Sequence, residues 1–311
     1  MPCPRFAARG GLRKRSTLKI LVLFLATVLI WGSTWIAIAM QVGPVPVLVS
    51  VFYRFAVAAL VLIAALAATR RLETPALRHH PFLVAQALCL FSLNFLCFYT
   101  AAGTVTSGLV SVIFSLATIY NAVNARLFFG DRVTGRTVVA ALTGAGGLAL
   151  LFGRDLWVDL DPGALKGIGF AALGTLYFSL GNMVSRRNSA AGLSPVTTNA
   201  WGMAYGAVIL MALVAITRTP IVAPPDGKYL AAMLYLAVFG SVVAFTTYLE
   251  LVARIGSSRA AYATVLFPIV ALVLSTVFEG YRWSALGALG LALCLTGNVV
   301  IFWPPRKPRS G

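Results

Sequence analysis

The chain has 311 residues, of which 59% are hydrophobic and 11% charged, and its formal net charge is +17. Soluble domains carry roughly twice that charged fraction, so the composition excludes an ordinary soluble protein. The apolar residues form blocks of about 20, which is the length of a helix that crosses ~30 Å of hydrocarbon. The sequence therefore predicts an all-α membrane protein that crosses the lipid bilayer many times.

In chain order, a basic tail at 1–17 comes first, and we predict no regular structure for it. Apolar blocks separated by Gly, Pro and charged residues then predict ten transmembrane helices. Their predicted ranges are 18–40, 46–68, 82–101, 105–128, 136–153, 165–185, 196–216, 229–252, 259–279 and 284–303. A second basic tail, 304–311, follows the last helix.

The charges of the loops predict the orientation of these helices. If the N-terminus is inside, the inner loops and tails hold about nineteen Lys and Arg residues and the outer loops hold five. The outer loops also take five of the eight acidic residues. Because Lys and Arg collect on the cytoplasmic side, both termini are predicted to be cytoplasmic. This distribution explains the net charge without a nucleic-acid partner.

One layout occurs twice in the chain. The segment 104–135 is an apolar run that ends in Gly-Asp-Arg, and it recurs about 148 residues later. The offset pairs Leu116 with Thr264, Tyr120 with Pro268, and Asp131 with Glu279. Two copies predict two repeats, 18–153 and 165–303. Because each repeat has five helices, an odd number, the second is predicted to be inserted upside down relative to the first. Inverted repeats are typical of secondary transporters.

Several short motifs follow one another in a specific order. They are LIWGSTW at 29–35, Arg54-Phe55, TSGLVSV at 106–112, RLFFGDR at 126–132 and GSSRAAYATVLFP at 256–268. With these motifs the chain resembles the EamA-type ten-helix members of the drug/metabolite transporter superfamily, from about residue 19 to 303. It departs from the family where Asp131 replaces the usual Glu, where Phe-Glu-Gly at 278–280 replaces Gly-Glu, and where Tyr120 replaces a frequent proline. The resemblance implies a bacterial inner-membrane protein that exports small metabolites or toxic compounds, amino acids among them.

Two charged residues, Arg54 and Glu250, qualify clearly as charges within the membrane, where each costs about 2.5–3.5 kcal/mol on insertion scales. Arg54 in helix 2 either bridges helices, with its charge reaching towards the membrane surface, or anchors the carboxylate of a substrate. Glu250 lies near the inner end of helix 8. It either pairs with Arg254 one turn later or acts as a proton-coupling carboxylate.

Polar side chains follow one face of helix 4 at steps of three and four residues, and Ser111 and Ser115 are among them. Asn94 in helix 3 and Asn182 in helix 6 extend this set. Such residues either allow membrane helices to pack closely or line an aqueous cavity, and both alternatives stay open.

Four aromatic residues lie deeper than the interfacial belt and are candidate walls of a cavity. They are Trp31, Tyr120, Tyr177 and Tyr262. Pro268 lies in the middle of predicted helix 9, where it predicts a bend that is either a hinge or static.

The sequence thus predicts a secondary transporter that exports small metabolites, such as amino acids or related zwitterions, by alternating access. The alternatives are a multidrug or toxic-compound exporter and a passive facilitator channel for neutral solutes. We predict no cofactor and no metal, since the cysteines and histidines form no ligand cluster. No nucleotide-binding GxxxxGK[ST] motif and no catalytic constellation is found, so neither ATP hydrolysis nor an enzyme is predicted. The oligomeric state stays open.

Overall fold

A computed structural model describes residues 5–151, 162–255 and 262–302, without the side chains of 5–17, 252, 253, 262, 301 and 302. In the described residues the chain forms helices joined by short turns, and no strand is found among them. The helices are α1 Arg5–Ala39, α2 Val47–Ala68, α3 Leu77–Ala102, α4 Ser107–Phe129, α5 Gly135–Leu151, α6 Pro162–Ala190, α7 Pro195–Ile216, α8 227–255, α9 Tyr262–Phe278 and α10 Ala285–Phe302. The predicted all-helical fold class is confirmed.

Seven of these helices have the length and composition to cross a membrane: α1 from Leu18 onward, α2, α3, α4, α6, α7 and α8. The other three, α5, α9 and α10, are apolar but shorter within the described chain. Ten membrane spans therefore remain a prediction.

Two helix ends differ from the prediction. The backbone of α1 is helical from Arg5, so the basic tail continues the helix where no regular structure was predicted. The residues between Arg5 and Thr17 include Ala, Leu, Lys and Arg, which favour helix. Helix α6 is longer than 165–185 at both ends, because it begins at Pro162 and continues through the polar residues 186–190. Proline suits the first turn of a helix, where its missing N–H has no partner to lose.

The pattern of contacts between helices stays the same when each helix of the first half is exchanged with the helix five positions later in the chain. This is the pattern that a two-fold relation between the halves produces. Three pairs map onto themselves: α2 with α7, α4 with α9, and α5 with α10. The remaining large contacts exchange in pairs: α1–α9 with α4–α6, α1–α8 with α3–α6, and α2–α8 with α3–α7. A two-repeat architecture fits this pattern.

The two halves also share a local irregularity. Wide π-helical turns interrupt α3 at Cys89–Leu93 and α8 at Tyr235–Val243. A shift of 148 residues places the first segment inside the second, as the repeat offset predicts. Such π segments are rare and frequently lie at functional sites.

Helices α4 and α9 end in the same way. Gly130 and Gly280 both have positive φ angles, 72° and 69°, which suit glycine at a helix C-terminus. Just after each glycine, a backbone N–H donates a hydrogen bond to the carbonyl six residues earlier. These bonds run from Asp131 N to Ala125 O and from Tyr281 N to Ser275 O. The two glycines are therefore the structural equivalents. The predicted pairing of Asp131 with Glu279 was wrong by two residues, because Glu279 precedes its glycine and Asp131 follows it.

The turns gather at two ends of the bundle, which we name after their predicted orientation. The inner end has the turns 69–76, 130–134 and 191–194, and the outer end has the turns 40–46, 103–106, 217–226 and 279–284. Glu279 contacts Ser107, the first residue of α4, whereas Asp131 follows the last residue of that helix. The two turns thus lie at opposite ends of a helix of 23 residues, about 35 Å long.

Candidate functional site

Arg54 lies in α2, and its side chain is almost fully buried, with 3% of the residue exposed. Ser50 and Arg54 are four residues apart and so share one face of α2. The Arg54 Nε donates a hydrogen bond to Ser241 Oγ in the π segment of α8, at 3.3 Å. Its guanidinium also lies over the ring of Phe95, with the Cζ atom 4.3 Å from the ring centre. Arg54 therefore joins α2, α3 and α8 in the interior.

A chain of polar side chains connects Arg54 to the outer end. The Tyr99 hydroxyl lies beside the Arg54 guanidinium and donates to Gln41 Oε1 at 2.7 Å. Gln41 in turn reaches Tyr229, whose hydroxyl is 2.7 Å from Ser50 Oγ. We call these residues the Arg54 cluster: Gln41, Ser50, Arg54, Tyr99, Tyr229 and Ser241.

The Arg54 cluster has buried donors without acceptors. Among the described residues, Arg54 Nη1 and Gln41 Nε2 have no hydrogen-bond partner, and no carboxylate forms an ion pair with Arg54. Burying a charge without a partner is costly, so such a group marks a functional site more often than a structural one. Two donors on either side of the Tyr99 hydroxyl suit a ligand that carries a carboxylate.

The charge of the Arg54 cluster is not repeated at the position in α7 that corresponds to Arg54. The 148-residue offset pairs Arg54 with Gly202 in α7, where a side chain would collide with the ring of Phe91. The ring of Phe91, from α3 of the first half, thus packs against α7 at the position where α2 carries a guanidinium. The asymmetry places the charge of the site on the α2–α8 side.

An aromatic layer fills the space between the two halves. Phe114 in α4 contacts four rings from four other helices, with centroid distances from 4.7 to 5.6 Å. These rings are Trp35, Phe98, Phe178 and Phe267. In this conformation these rings pack α4 of the first half against α6 and α9 of the second.

Trp31 is a half-buried residue one helical turn before Trp35, and it packs on α8. Its ring lies 5.4 Å from Phe245 and 5.1 Å from Tyr248, measured between centroids. Phe245 is four residues after Ser241, so this aromatic group lies one helical turn from the Arg54–Ser241 contact. The predicted position of Trp31 in a cavity wall remains a prediction.

Ser111 and Ser115 are buried in α4, apart from the Arg54 cluster. Both are buried, and their hydroxyls donate to the carbonyls of Gly108 and Val112 at 2.6 and 2.7 Å. Ser115 also accepts a weak hydrogen bond from Asn298 in α10, at 3.4 Å. The structure does not bring this stripe to the Arg54 cluster, and a role of these serines in substrate binding stays a prediction.

The other polar candidates are spread along the interior. Asn94 is buried and its Oδ1 accepts from Phe95 N, while its Nδ2 has no partner among the described residues. Asn182 donates to Asn121 Oδ1 at 3.3 Å, between α6 and α4. Tyr120 and Tyr177 are half-buried on the same two helices. The side chain of Tyr262 lies outside the described residues.

Glu250 lies at the inner end with two cations around it. Its Oε1 is 3.1 Å from Lys19 Nζ and 2.8 Å from Arg254 Nη2, and the side chain is 40% exposed. These contacts favour the ion-pair alternative, and the coupling role of Glu250 stays a prediction.

Pro268 lies inside α9, which continues through it as a regular helix. Gly32 of α1 packs against this turn, where a side chain would collide with Val270. A hinge at Pro268 stays a prediction.

A further ion pair at the inner end joins Asp131 to Arg186. The guanidinium of Arg186 donates to both oxygens of this carboxylate, at 2.6 and 3.2 Å, and so lowers the pKa of Asp131. The stabilisation from this contact is present above the ordinary carboxyl pKa and is lost as pH falls through the lowered value.

An apolar crevice of about 390 Å³ lies between α1, α8 and α9, and its lining residues include no member of the Arg54 cluster. Its walls include Ile36, Met40, Tyr235, Leu274 and Phe278, and Lys228 lies among the lining residues on the outer side. The crevice is open to the surface of the bundle and is not an enclosed cavity.

Residues 18–153 and residues 165–303 each match the EamA-like transporter family. The chain belongs to the EamA-like transporter family. It is thus an integral membrane transporter, as the resemblance implies and the apolar helices support.

Several known proteins are similar to most of this chain. It is 28% identical over 312 residues to the "Uncharacterized inner membrane transporter YedA" of Escherichia coli K12, with 96% of each chain covered. It is 25% identical over 206 residues to the "Probable terminal-alkyne amino-acid exporter" of Streptantibioticus cattleyicolor, with 63% of this chain and 64% of that one covered. A solved crystal structure with 22% identity has a TM-score of 0.65 and covers 91% of this chain and 96% of its own. The last likeness concerns the fold alone.

The sequence of this EamA-like protein predicts Arg54 as a candidate site residue, but it does not predict the residues that contact Arg54. Gln41, Tyr99 and Tyr229 lie near predicted helix ends, where Gln and Tyr are ordinary interfacial residues. Ser241 is a single hydroxyl in an apolar run. A signal for it existed in the repeat itself, because Ser92 and Ser241 are serines in equivalent segments of the two halves.

Proposed function

We propose that this EamA-like transporter exports small carboxylate-bearing metabolites, amino acids or related zwitterions, by alternating access. The observation that carries the proposal is the buried guanidinium of Arg54, whose Nη1 has no partner among the described residues. A planar guanidinium binds a carboxylate through two parallel hydrogen bonds, and the Gln41 amide adds a further donor nearby. The substrate named for the Streptantibioticus relative is of the same chemical class.

The proposed cycle uses the two halves, 18–153 and 165–303, as oppositely oriented five-helix repeats in a bacterial inner membrane. Both termini face the cytoplasm, and the outer end of the bundle faces away from it. The Arg54 cluster lies towards the outer end, next to the aromatic layer between the halves. A solute that leaves the cytoplasm would pass this layer before it is released. Proton coupling through Glu250 and a hinge at Pro268 belong to this proposal as candidates.

A second candidate function is export of partly apolar toxic compounds. The apolar crevice between α1, α8 and α9 favours it, since its lining offers almost only carbon atoms to a solute. A passive facilitator remains the alternative without alternating access.

Counterflow in proteoliposomes separates these functions. We expect a labelled amino acid to accumulate transiently when the vesicles are loaded with the unlabelled compound, with saturation, and competition by free amino acids but not by their methyl esters. The ester is the matched control because it replaces the carboxylate with a neutral group and keeps the amine and the side chain. Equal competition by the ester contradicts the carboxylate site. Competition only by partly apolar compounds without a carboxylate indicates the second function, and flux without saturation or counterflow indicates a facilitator.

A further inference from the structure

Glu279, in the turn after α9, binds the N-terminus of α4. Its Oε1 and Oε2 both accept from the backbone N–H of Ser107, each at 3.1 Å, and Oε2 also accepts from Ser107 Oγ at 2.6 Å. A carboxylate is favourable there because the first N–H groups of a helix lack partners and carry partial positive charge. The second half of the protein therefore caps a helix of the first half.

This cap differs from an ordinary helix cap. The N-terminus of α8 is capped by Asp226, its own preceding residue, which accepts from Tyr229 N at 2.7 Å. At α4 the preceding residue, Thr106, makes no such bond, and its buried hydroxyl has no partner among the described residues. The carboxylate of Glu279, which is not part of α4, makes the capping bonds instead.

Helices α4 and α9 are in direct contact just below the cap. A side chain at Gly108 would lie 2.8 Å from Leu272 and 2.9 Å from Ser275 Cβ, so the two helices pack with no space between them. Ser275 is fully buried by this contact. Any opening of the outer end between α4 and α9 must separate Ser275 from Gly108 and break the three bonds of Glu279.

The charged groups around Glu279 are few. Its own turn holds Tyr281 and Arg282, and α6 brings Lys166 next to Gly167, which packs against Thr104. Helices α9 and α10, and α4 as far as Arg126, carry no charged residue. The segment 152–161, which holds Arg154, Asp155, Asp159 and Asp161, lies outside the described residues. In the described chain Glu279 has no ion-pair partner within 4.0 Å, so its charge acts mainly on the N-terminus of α4.

We propose that Glu279 is a proton-binding site through which external pH controls the opening of the outer end. A proton from the outer aqueous phase binds one carboxylate oxygen, and the neutral acid loses its attraction to the positive end of α4. The contact between α4 and α9 then weakens, while no covalent bond between residues changes. The inference rests on the proposed function only in that the outer end opens during transport.

Thiol labelling tests the site without any substrate. In a variant whose native cysteines are replaced by alanine, Ser275→Cys places a thiol beneath the cap, and a membrane-impermeant maleimide is added from outside. Each labelling rate is divided by that of the exposed reference Ile221→Cys at the same pH. This division cancels the ordinary effect of pH on the thiolate fraction. We expect the normalised rate to rise about tenfold as external pH is lowered from about 7 to about 4, an interval that spans ordinary carboxyl titration. With Glu279→Gln it should be high and independent of pH.

Asp226→Asn is the matched control, because it neutralises another outer carboxylate at a helix N-terminus that bridges no two elements. It should leave the slow rate and the pH response unchanged. The proposal is overturned if the labelling rate with Glu279 present does not respond to pH, or if Glu279→Gln leaves the rate unchanged. It is also overturned if Asp226→Asn accelerates labelling as much as Glu279→Gln does. If labelling behaves as expected but counterflow is absent, the proposed function fails and the proton site stands.

Discussion

Replacing Arg54 with methionine should abolish transport of carboxylate solutes and leave the protein at least as stable as the wild type. Two charge-assisted hydrogen bonds to a carboxylate contribute about 1.5–3 kcal/mol each, so we expect affinity to fall about 100-fold or more. Stability should not fall with it, because the substitution removes a buried charge that has an unbonded Nη1. Ser241 is not orphaned either, since its hydroxyl still donates to Leu236 O at 2.9 Å.

The measurement combines counterflow with thermal unfolding in detergent. We expect a melting temperature that is unchanged or up to about 5 °C higher, since roughly 2–4 °C corresponds to 1 kcal/mol in domains of comparable size. An arginine that only bridges helices predicts the opposite pair of results, a less stable protein whose folded fraction still transports. Arg54→Lys keeps the charge but not the planar donor pair and should also lose affinity. Arg71→Met, at the exposed inner end of α2, is the control and should change neither result.

Replacing Gly147 with alanine should destabilise the protein by about 2–3 kcal/mol, the upper part of the range for overpacked cores. A Cβ atom at this position of α5 would lie 2.6 Å from the carbonyl oxygen of Gly290 and 2.9 Å from the backbone nitrogen of Cys294, both in α10. Backbone atoms cannot move aside as the end of a side chain can, so the two helices must separate. Thermal unfolding should show a decrease of about 5–10 °C.

Gly146→Ala is the matched control, because the same methyl group one residue away meets nothing within 4 Å. It should stabilise the protein by about 0.5–1 kcal/mol, since alanine is the better helix former. Gly144→Ala should have an intermediate effect, because its nearest neighbours are the side-chain ends of Leu116 and Ile119. Unlike Arg54→Met, Gly147→Ala should leave the substrate affinity of the folded fraction unchanged. Equal stability of the Gly147 and Gly146 variants would show that α5 and α10 do not pack as described.

The sequence predicts most of the fold, because the length of an apolar block determines whether it crosses a bilayer. The repeat is visible in the sequence because the two halves have the same pattern of helices and therefore match at a nearly constant offset. The pairing of Asp131 with Glu279 failed by two residues, because an apolar run does not show where a left-handed glycine ends the helix. Gly130 and Gly280 provide that information only in the structure.

The site was predictable only at its charged centre. Arg54 stands out because a guanidinium inside a hydrocarbon-length helix is rare for a clear energetic reason. Its partners are separated from it by up to 187 residues, as Ser241 is, and no local pattern encodes such a contact. The helix 4 hydroxyls show the converse, since spacing placed Ser111 and Ser115 on one face but did not indicate whether that face meets water or another helix.

The account depends on two halves inserted in opposite orientations, and sided thiol labelling tests this most directly. Single cysteines replace Val133, in the turn after α4, and Arg282, in the turn after α9, both exposed and both in a protein without native cysteines. In intact cells we expect an impermeant reagent to label Arg282→Cys at once and Val133→Cys only after the membrane is permeabilised. Labelling of both turns from the same side of the membrane would contradict the account.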